Sequence, residues 1–275
     1  MDGLLIDSED IYTFTTNLIL EEYGKPNLPW VVKAQLQGRP QFEANRIFHD
    51  WAQLPISPTE YATKQAALQA KYFPTTKPLP GVIKLLDDLR STLNTDSPVQ
   101  MAIATSSHSK NFKLKTDHLR DILSGFPDSR RVLGDDPRIG KGRGKPLPDI
   151  YLLALDVINA DLRKAGEEGI KPEECLVFED SVPGVEAGRR AGMRVIWCPH
   201  KDLLEVYRGR EEEVLAGLTG EHKDEEKSEA ELEAEGLQSL RLEDSGRPGK
   251  LNDGWGELLH TLEGFPYERY GIVIE

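Results

Sequence analysis

The chain has 275 residues, of which 38% are apolar, and carries a formal net charge of −13. This length allows one sizeable hydrophobic core together with a smaller second unit. The acidic charge argues against nucleic acids and anionic membranes as partners. Because the sequence shows no apolar run of about 18 residues and no leader-like start, it predicts a cytoplasmic protein that neither enters a membrane nor binds one.

The first third of the chain carries helical signals only. Apolar residues recur at helical spacing in four segments, at residues 8–23, 30–36, 41–51 and 58–72. Ser8 is a candidate cap for the first of them, and Ser57 followed by Pro58 and Glu60 is a capping signature for the last. We therefore predict a small all-helical cap domain over residues 13–78, preceded by a short start of the core domain at residues 1–12.

From residue 79 to 210, short apolar runs alternate with helical segments. The predicted strands cover residues 99–104, 131–133, 175–178 and 194–197, and the predicted helices cover 81–90, 119–123, 149–158 and 184–191. This alternation is typical of an α/β fold whose doubly wound parallel sheet is covered on both faces. Ligands of such sheets bind beyond the carboxyl ends of the strands, so Asp2, Thr105 and Asp180 should converge on one crevice.

The last quarter of the chain divides into two parts. Residues 211–250 are rich in Glu and Asp and poor in large apolar side chains, which predicts a disordered acidic insertion. Residues 251–275 contain Trp255, Leu258 and Phe265, and we predict that this segment returns to the core domain.

Four short motifs occur in and near the predicted strand ends. They are DG at residues 2–3, ATS at 104–106, GKP at 144–146 and FEDSVPG at 178–184. In this order they resemble the motifs of the haloacid dehalogenase superfamily, in its β-phosphoglucomutase-like and pseudouridine-5'-phosphatase-like branch. The resemblance extends from Met1 to about Pro199. It implies a Rossmann-like core with a helical cap, and a Mg²⁺-dependent phosphatase that forms an aspartyl-phosphate and acts on a small phosphorylated metabolite, such as a sugar or nucleoside phosphate.

The resemblance assigns catalytic roles to three residues. Asp2 would be the general acid and base, and also a metal ligand, although it could be only an acid near a frayed terminus. Thr105, with Ser106 beside it, would hold a phosphate oxygen, whereas a hydroxyl after a strand is also a common helix cap. Lys145 would direct its ammonium toward the phosphate and a carboxylate. The competing interpretation of Lys145 is a solvated loop lysine.

The resemblance also assigns metal and substrate ligands. Glu179 and Asp180 follow a strand directly, and two adjacent carboxylates there are suited to Mg²⁺, although they could instead cap the next helix. Gly38 and Arg39 resemble a cap loop that contacts the substrate, while an exposed arginine at the surface is the simpler interpretation.

The resemblance places the catalytic nucleophile two residues before Asp2, where this sequence has no residue. It also implies a central strand before that position, so the predicted sheet has its first strand missing. Leaving two buried strand edges unpaired would cost about 1–3 kcal/mol per unsatisfied group. Because these unpaired groups would be costly, we predict that the native protein starts upstream of Met1. Because the nucleophile is absent, we predict that this chain as written is inactive. We also predict that the protein is a monomer. A non-catalytic phosphate- and metal-binding protein and a phosphomutase remain as alternatives.

Overall fold

The computed structural model describes residues 1–39, 41–220 and 248–274. Its α-helices in these ranges are α1 (Ser8–Glu22), α2 (Trp30–Leu36), α3 (Gln41–Ala52), α4 (Pro58–Tyr72), α5 (Val82–Ser91), α6 (Ser109–Thr116), α7 (Asp149–Ala165), α8 (Val182–Arg190), α9 (Lys201–Val206) and α10 (Glu211–Ala216). Its strands are β1 (Ile103–Ala104), β2 (Arg131–Val132), β3 (Leu176–Glu179), β4 (Arg194–Trp197) and β5 (Gly256–Leu258). None of the described helices is long and apolar enough to cross a membrane.

The strands form two separate parallel sheets, which confirms the predicted α/β class. One sheet pairs β1 with β2, and the other has the order β3-β4-β5. The predicted strand over residues 99–104 is wrong in length, because only Ile103 and Ala104 pair with a neighbour. A strand needs a partner along its whole length, and β2 offers β1 only two residues.

Two hydrophobic clusters cover the opposite faces of the sheets. Ile196 and Trp197 are neighbours on β4, and both are fully buried, yet they belong to different clusters. Successive side chains of a strand point to opposite faces, so one strand contributes to both clusters. On α8, Gly188 allows close packing, since a Cβ there would lie 2.8 Å from the side chain of Val195.

The helices α1–α4 share a third cluster that contains Ile19, Leu20, Phe48 and Tyr61. The capping signature of α4 is present, because the Ser57 hydroxyl accepts a hydrogen bond from the Glu60 amide at 3.1 Å.

The predicted cap of α1 is wrong. Asp7 occupies the cap position, and Ser8 lies inside the helix, where its hydroxyl is hydrogen-bonded to Asp2 instead of to the helix backbone.

The helix predicted over residues 119–123 is also wrong. A single 3₁₀ turn at Ile122–Gly125 replaces it, and the regular helix in this region is α6. Of the few apolar residues in α6, Phe112 is the one that is buried, so the sequence carries little helical periodicity there. The helix predicted over 149–158 extends further, to the left-handed Gly166.

The C-terminal part adds a strand to the larger sheet. β5 pairs with β4, and Leu262 and Phe265 are buried. The acidic insertion was predicted to begin at residue 211, but α10 forms there because Val214 and its neighbours are buried against α8. Residues 221–247 of the predicted insertion lie outside the described residues.

Candidate active site

A cavity of about 470 Å³ lies between the cap helices and the carboxyl ends of β1 and β3. All eight residues that the sequence analysis singled out line it: Asp2, Gly38, Arg39, Thr105, Ser106, Lys145, Glu179 and Asp180. They come from the N-terminus, a cap loop, two strand ends and the loop before α7. The structure therefore brings together residues that are up to 178 positions apart, from Asp2 to Asp180.

Asp2 is held by a network of donors. Its carboxylate accepts hydrogen bonds from the hydroxyls of Ser8 at 2.5 Å and Ser107 at 2.6 Å. It also forms an ion pair with Lys115. Burial alone would raise the pKa of Asp2, but the Lys115 ammonium and these hydrogen bonds outweigh it and hold the pKa well below its usual range. Asp2 is therefore a fixed, ionised carboxylate.

Lys115 is a site residue that the sequence analysis missed. Its side chain is 0% exposed, and its ammonium donates to the Ser107 hydroxyl at 2.5 Å and to the Tyr12 hydroxyl at 3.3 Å. The sequence of α6 suggests a solvated basic helix. The available signal was its position one turn after Phe112, which places both residues on the same face of α6.

Glu179 is the most fully satisfied carboxylate of the site. It is paired with Lys145 and accepts a hydrogen bond from the Tyr151 hydroxyl at 2.6 Å. Its other oxygen accepts from the amides of Asp180 at 3.1 Å and Ser181 at 3.0 Å. Burial would raise the pKa of Glu179, but the Lys145 charge outweighs it and lowers the pKa.

Gly184 makes room for this arrangement. A Cβ at Gly184 would lie 2.0 Å from the carboxyl carbon of Glu179. Gly184 also sits among other small residues of α8, which favours close packing of this helix on the sheet. The structure gives it a second role, as the residue that lets the Glu179 carboxylate approach the start of α8.

Asp180 has a different environment from Glu179. Its carboxylate accepts one hydrogen bond from the side-chain amide of Gln37 at 2.5 Å, and none of the described lysine or arginine side chains forms an ion pair with it. It lies against the backbone of Gly3, where a Cβ would be 2.3 Å from a carboxylate oxygen. Burial, followed by the neighbouring charge of Glu179, raises the pKa of Asp180 well above its usual range.

These surroundings fit a divalent cation near Asp180. Among the described residues, no group of three or more His, Cys, Asp or Glu side chains is arranged to hold a metal ion. Mg²⁺ commonly needs only one or two carboxylates, with water and phosphate oxygens as its other ligands. Asp180 is available for this role, whereas Glu179 is occupied by Lys145 and Asp2 by Lys115.

Hydroxyl groups and the cap loop complete the cavity. Thr105 is buried at the end of β1, where its hydroxyl accepts from the Ser107 amide at 3.2 Å. Gly38 has a φ of +76°, and a Cβ there would lie 2.5 Å from the Ser181 hydroxyl. The cap loop therefore touches the core at Gly38. Arg39 lines the cavity and forms an ion pair with Glu43 at 3.0 Å.

Asp180→Asn is expected to stabilise the fold. Because the folded-state pKa of Asp180 is raised, its ionised form destabilises the protein as the pH rises above the unfolded value. Asparagine removes this charge and can still accept the hydrogen bond from Gln37. We expect a gain of about 0.5–2 kcal/mol in the free energy of unfolding at pH 7. Urea unfolding in EDTA at pH 7 and at pH 4.5 measures this gain, which should be smaller at pH 4.5. An equal loss of stability at both pH values would contradict this expectation.

Comparisons with known proteins identify the family of this chain. Residues 1–192 match the haloacid dehalogenase-like hydrolase family. The chain is 44% identical over 217 residues to a probable pseudouridine-5'-phosphatase of Saccharomyces cerevisiae, covering 79% of this chain and 87% of that protein. It is 35% identical over 220 residues to (DL)-glycerol-3-phosphatase 1 of Arabidopsis thaliana, covering 79% of this chain and 68% of the relative.

A solved structure shows the same fold. A β-phosphoglucomutase-like protein from Thermotoga maritima superposes with a TM-score of 0.53 at 29% identity, covering 78% of this chain and 94% of that chain. The names of the relatives support a phosphatase of small phosphate esters. This chain belongs to the haloacid dehalogenase-like hydrolase family.

Proposed function

We propose that the cavity is the active site of a Mg²⁺-dependent phosphatase that hydrolyses a small phosphomonoester, such as a sugar or nucleoside phosphate, through an aspartyl-phosphate. The observation that carries this proposal is the meeting of Asp2, Thr105, Lys145 and Asp180 on one cavity. Phosphoryl transfer needs anion-binding donors, a positioned acid and base, and charge neutralisation, and these four residues can supply them.

In this proposal the phosphate lies between the end of β1 and Lys145. The Thr105 hydroxyl and the adjacent Ser106 donate to phosphate oxygens. The Lys145 ammonium, held by Glu179, lies beside them as a fixed positive charge. A Mg²⁺ ion held by Asp180 would neutralise part of the phosphate charge.

Asp2 moves the protons. It gives a proton to the departing alcohol oxygen and later takes one from the attacking water. The hydrogen bonds from Ser8 and Ser107 fix the position of its carboxylate. Because Lys115 keeps Asp2 ionised in the free protein, Asp2 must take up a proton from water as the substrate binds. It gives this proton to the departing alcohol oxygen and recovers one from the attacking water.

The cap loop supplies the substrate contacts. Gly38 lets the backbone approach Ser181 closely, and Arg39 extends the positive lining on the cap side of the cavity. The cavity of about 470 Å³ has room for a phosphorylated metabolite and excludes a macromolecular substrate from its interior.

The proposed nucleophile is an aspartate two residues before Asp2, and it is tested by extending the chain. Two versions of the protein carry an added segment, Lys-Val-Ile-Val-Val followed by Asp or by Asn, joined directly to Met1. Phosphate release from a panel of sugar and nucleoside monophosphates is then measured with Mg²⁺ and with EDTA. We expect Mg²⁺-dependent release with the Asp extension, and release lower by about 10³-fold or more with the Asn extension and with the chain as written.

The two extended proteins differ in one functional group. Equal thermal midpoints would show that both fold to the same extent. Equal inactivity of the two folded extensions toward the whole panel would contradict the phosphatase proposal. It would favour a protein that binds phosphate and metal without catalysis.

A further inference from the structure

The side-chain amide of Gln65 lies on the cap side of the active-site cavity with its carbonyl oxygen unused. Gln65 belongs to α4, where it lines the cavity together with Tyr61 and Gln69, which lie one turn before it and one turn after it. Its Oε1 atom is buried and accepts no hydrogen bond from the described residues. A buried acceptor without a donor is costly, so such a group in a native fold calls for an explanation.

Two threonines of α1 fix the orientation of this amide. The Gln65 Nε2 atom lies 3.3 Å from the hydroxyl oxygen of Thr15 and 3.3 Å from that of Thr16. Thr15 donates its only hydroxyl proton to the backbone carbonyl of Ile11 at 2.9 Å, so its oxygen can only accept from Gln65. The nitrogen end of the amide is therefore held by α1, and the carbonyl end is left for another donor.

Gln69 shows how the same face of α4 can be satisfied by the core. The Oε1 atom of Gln69 accepts a hydrogen bond from the side-chain amide of Asn111 on α6 at 3.3 Å. None of the described core residues does this for Gln65. Ala62 and Ala66 line the cavity on the same face of α4, and their small side chains leave room for a ligand beside Gln65. A donor on a bound substrate fits this position.

The charged groups on the cap side indicate what kind of substrate carries this donor. Lys33 is paired with Glu9 at 3.3 Å, and Arg39 is paired with Glu43 at 3.0 Å. A second phosphate or a carboxylate on the substrate would have to compete with these two carboxylates for the cations. A neutral group with an O–H or N–H donor meets no such competition, so the cap side of the cavity favours it.

We propose that Gln65 is a specificity-determining residue, whose Oε1 atom accepts a hydrogen bond from an O–H or N–H group of a neutral leaving group. This inference rests on the proposed function, because it takes the phosphate of the same substrate to lie beside Lys145. A site built around a buried acceptor discriminates against an analogue that lacks the donor, because that analogue leaves the acceptor unpaired.

The test measures ligand binding to the full chain by calorimetric titration in the presence of Mg²⁺. The variant is Gln65→Leu, and the matched control is Gln35→Leu, which changes an exposed glutamine of the cap. Two pairs of phosphomonoesters are compared. Ribose 5-phosphate and pentyl phosphate have the same number of carbons and differ in their hydroxyl groups, whereas uridine 5'-phosphate and its N3-methyl derivative differ in one ring N–H.

We expect the native chain to bind the donor-bearing member of at least one pair about tenfold or more tightly than its partner. Gln65→Leu should lower this preference by about tenfold, whereas Gln35→Leu should retain it. Inorganic phosphate should bind all three proteins alike, because it does not reach the cap side of the cavity.

A second measurement does not depend on a variant. The side-chain carbonyl carbon of Gln65 in the native chain should shift downfield in its carbon NMR signal when the preferred member binds, and not when its partner binds. If the chain binds inorganic phosphate, three results would overturn this inference alone: no preference within either pair, a preference that folded Gln65→Leu retains, or an unmoved Gln65 signal. A folded chain that binds no phosphate would overturn the proposed function, and this inference with it.

Discussion

Lys115→Met is expected to lower the free energy of unfolding by about 3–5 kcal/mol at neutral pH, the usual cost of removing one partner from a buried ion pair. Methionine fills a similar volume, so the loss reflects charge more than packing. Without the ammonium, Asp2, whose side chain is 16% exposed, would keep only its hydroxyl donors in a largely buried position. Urea unfolding followed by circular dichroism measures the difference.

The pH dependence of this loss has a definite sign. In the native protein the pKa of Asp2 is depressed, so its pairing stabilises the fold above the unfolded value of about 3.9, and this stabilisation is lost as the pH falls. In the variant, burial raises that pKa, so the cost grows as the pH rises above about 3.9. The difference between the two proteins should therefore be smaller at pH 4.5 than at pH 7.

Two controls separate charge from general damage to α6. Lys113→Met changes an exposed lysine of the same helix and should alter the stability by less than about 0.5 kcal/mol. Asp2→Asn in the Lys115→Met background removes the unpaired charge and should restore most of the loss. A double variant as unstable as the single one would show that Lys115 acts through packing.

Lys145→Met is the second large effect, and it should reduce both stability and phosphate binding. Lys145 is buried and paired with the buried Glu179. The Tyr151 hydroxyl and the donors of Ser181 remain in the variant, so we expect a loss near the lower end of about 3–5 kcal/mol. Phosphate binding should weaken by about tenfold or more, since a fixed positive charge leaves the cavity.

The control for this variant is Lys141→Met, which changes an exposed lysine of the same loop. It should leave phosphate binding and stability unchanged within about 0.5 kcal/mol. Calorimetric titration with inorganic phosphate, together with urea unfolding, distinguishes the two lysines. Equal effects of the two substitutions would remove the assignment of Lys145 to the site.

Two kinds of signal predicted the cavity: strand ends placed Asp2, Thr105 and Asp180 at one crevice, and the family resemblance assigned the other residues. Thr105 and Asp180 come directly after apolar runs, and parallel strands deliver the residues at their carboxyl ends to one edge. Lys145 was predicted from the Gly-Lys-Pro sequence around it. These signals are local, so they can be found without knowing which elements touch.

The residues that were missed depend on contacts between distant elements. Lys115 is buried only because α6 packs beside the cap and Asp2 lies opposite it. Tyr151 and Ser107 likewise gain their roles from partners far away in the chain. Apart from the position of Lys115 one turn after Phe112, the local sequence does not separate these residues from ordinary helix and turn positions.

The sheet shows the same limit. An apolar run at residues 99–104 predicts a strand, but the strand is realised only where β2 lies beside it. Pairing is a property of two segments, so one segment cannot fix the length of a strand.

The central claim is that one cavity binds phosphate between Thr105, Lys145 and a cation at Asp180. Its most direct test is an NMR titration of the chain with inorganic phosphate in the presence of Mg²⁺, with Lys145→Met as the matched variant. We predict amide shifts concentrated at residues 105–107 and 180–181 that are strongly reduced in the variant. A folded protein that shows no shifts there, or shifts that Lys145→Met leaves unchanged, would contradict the account.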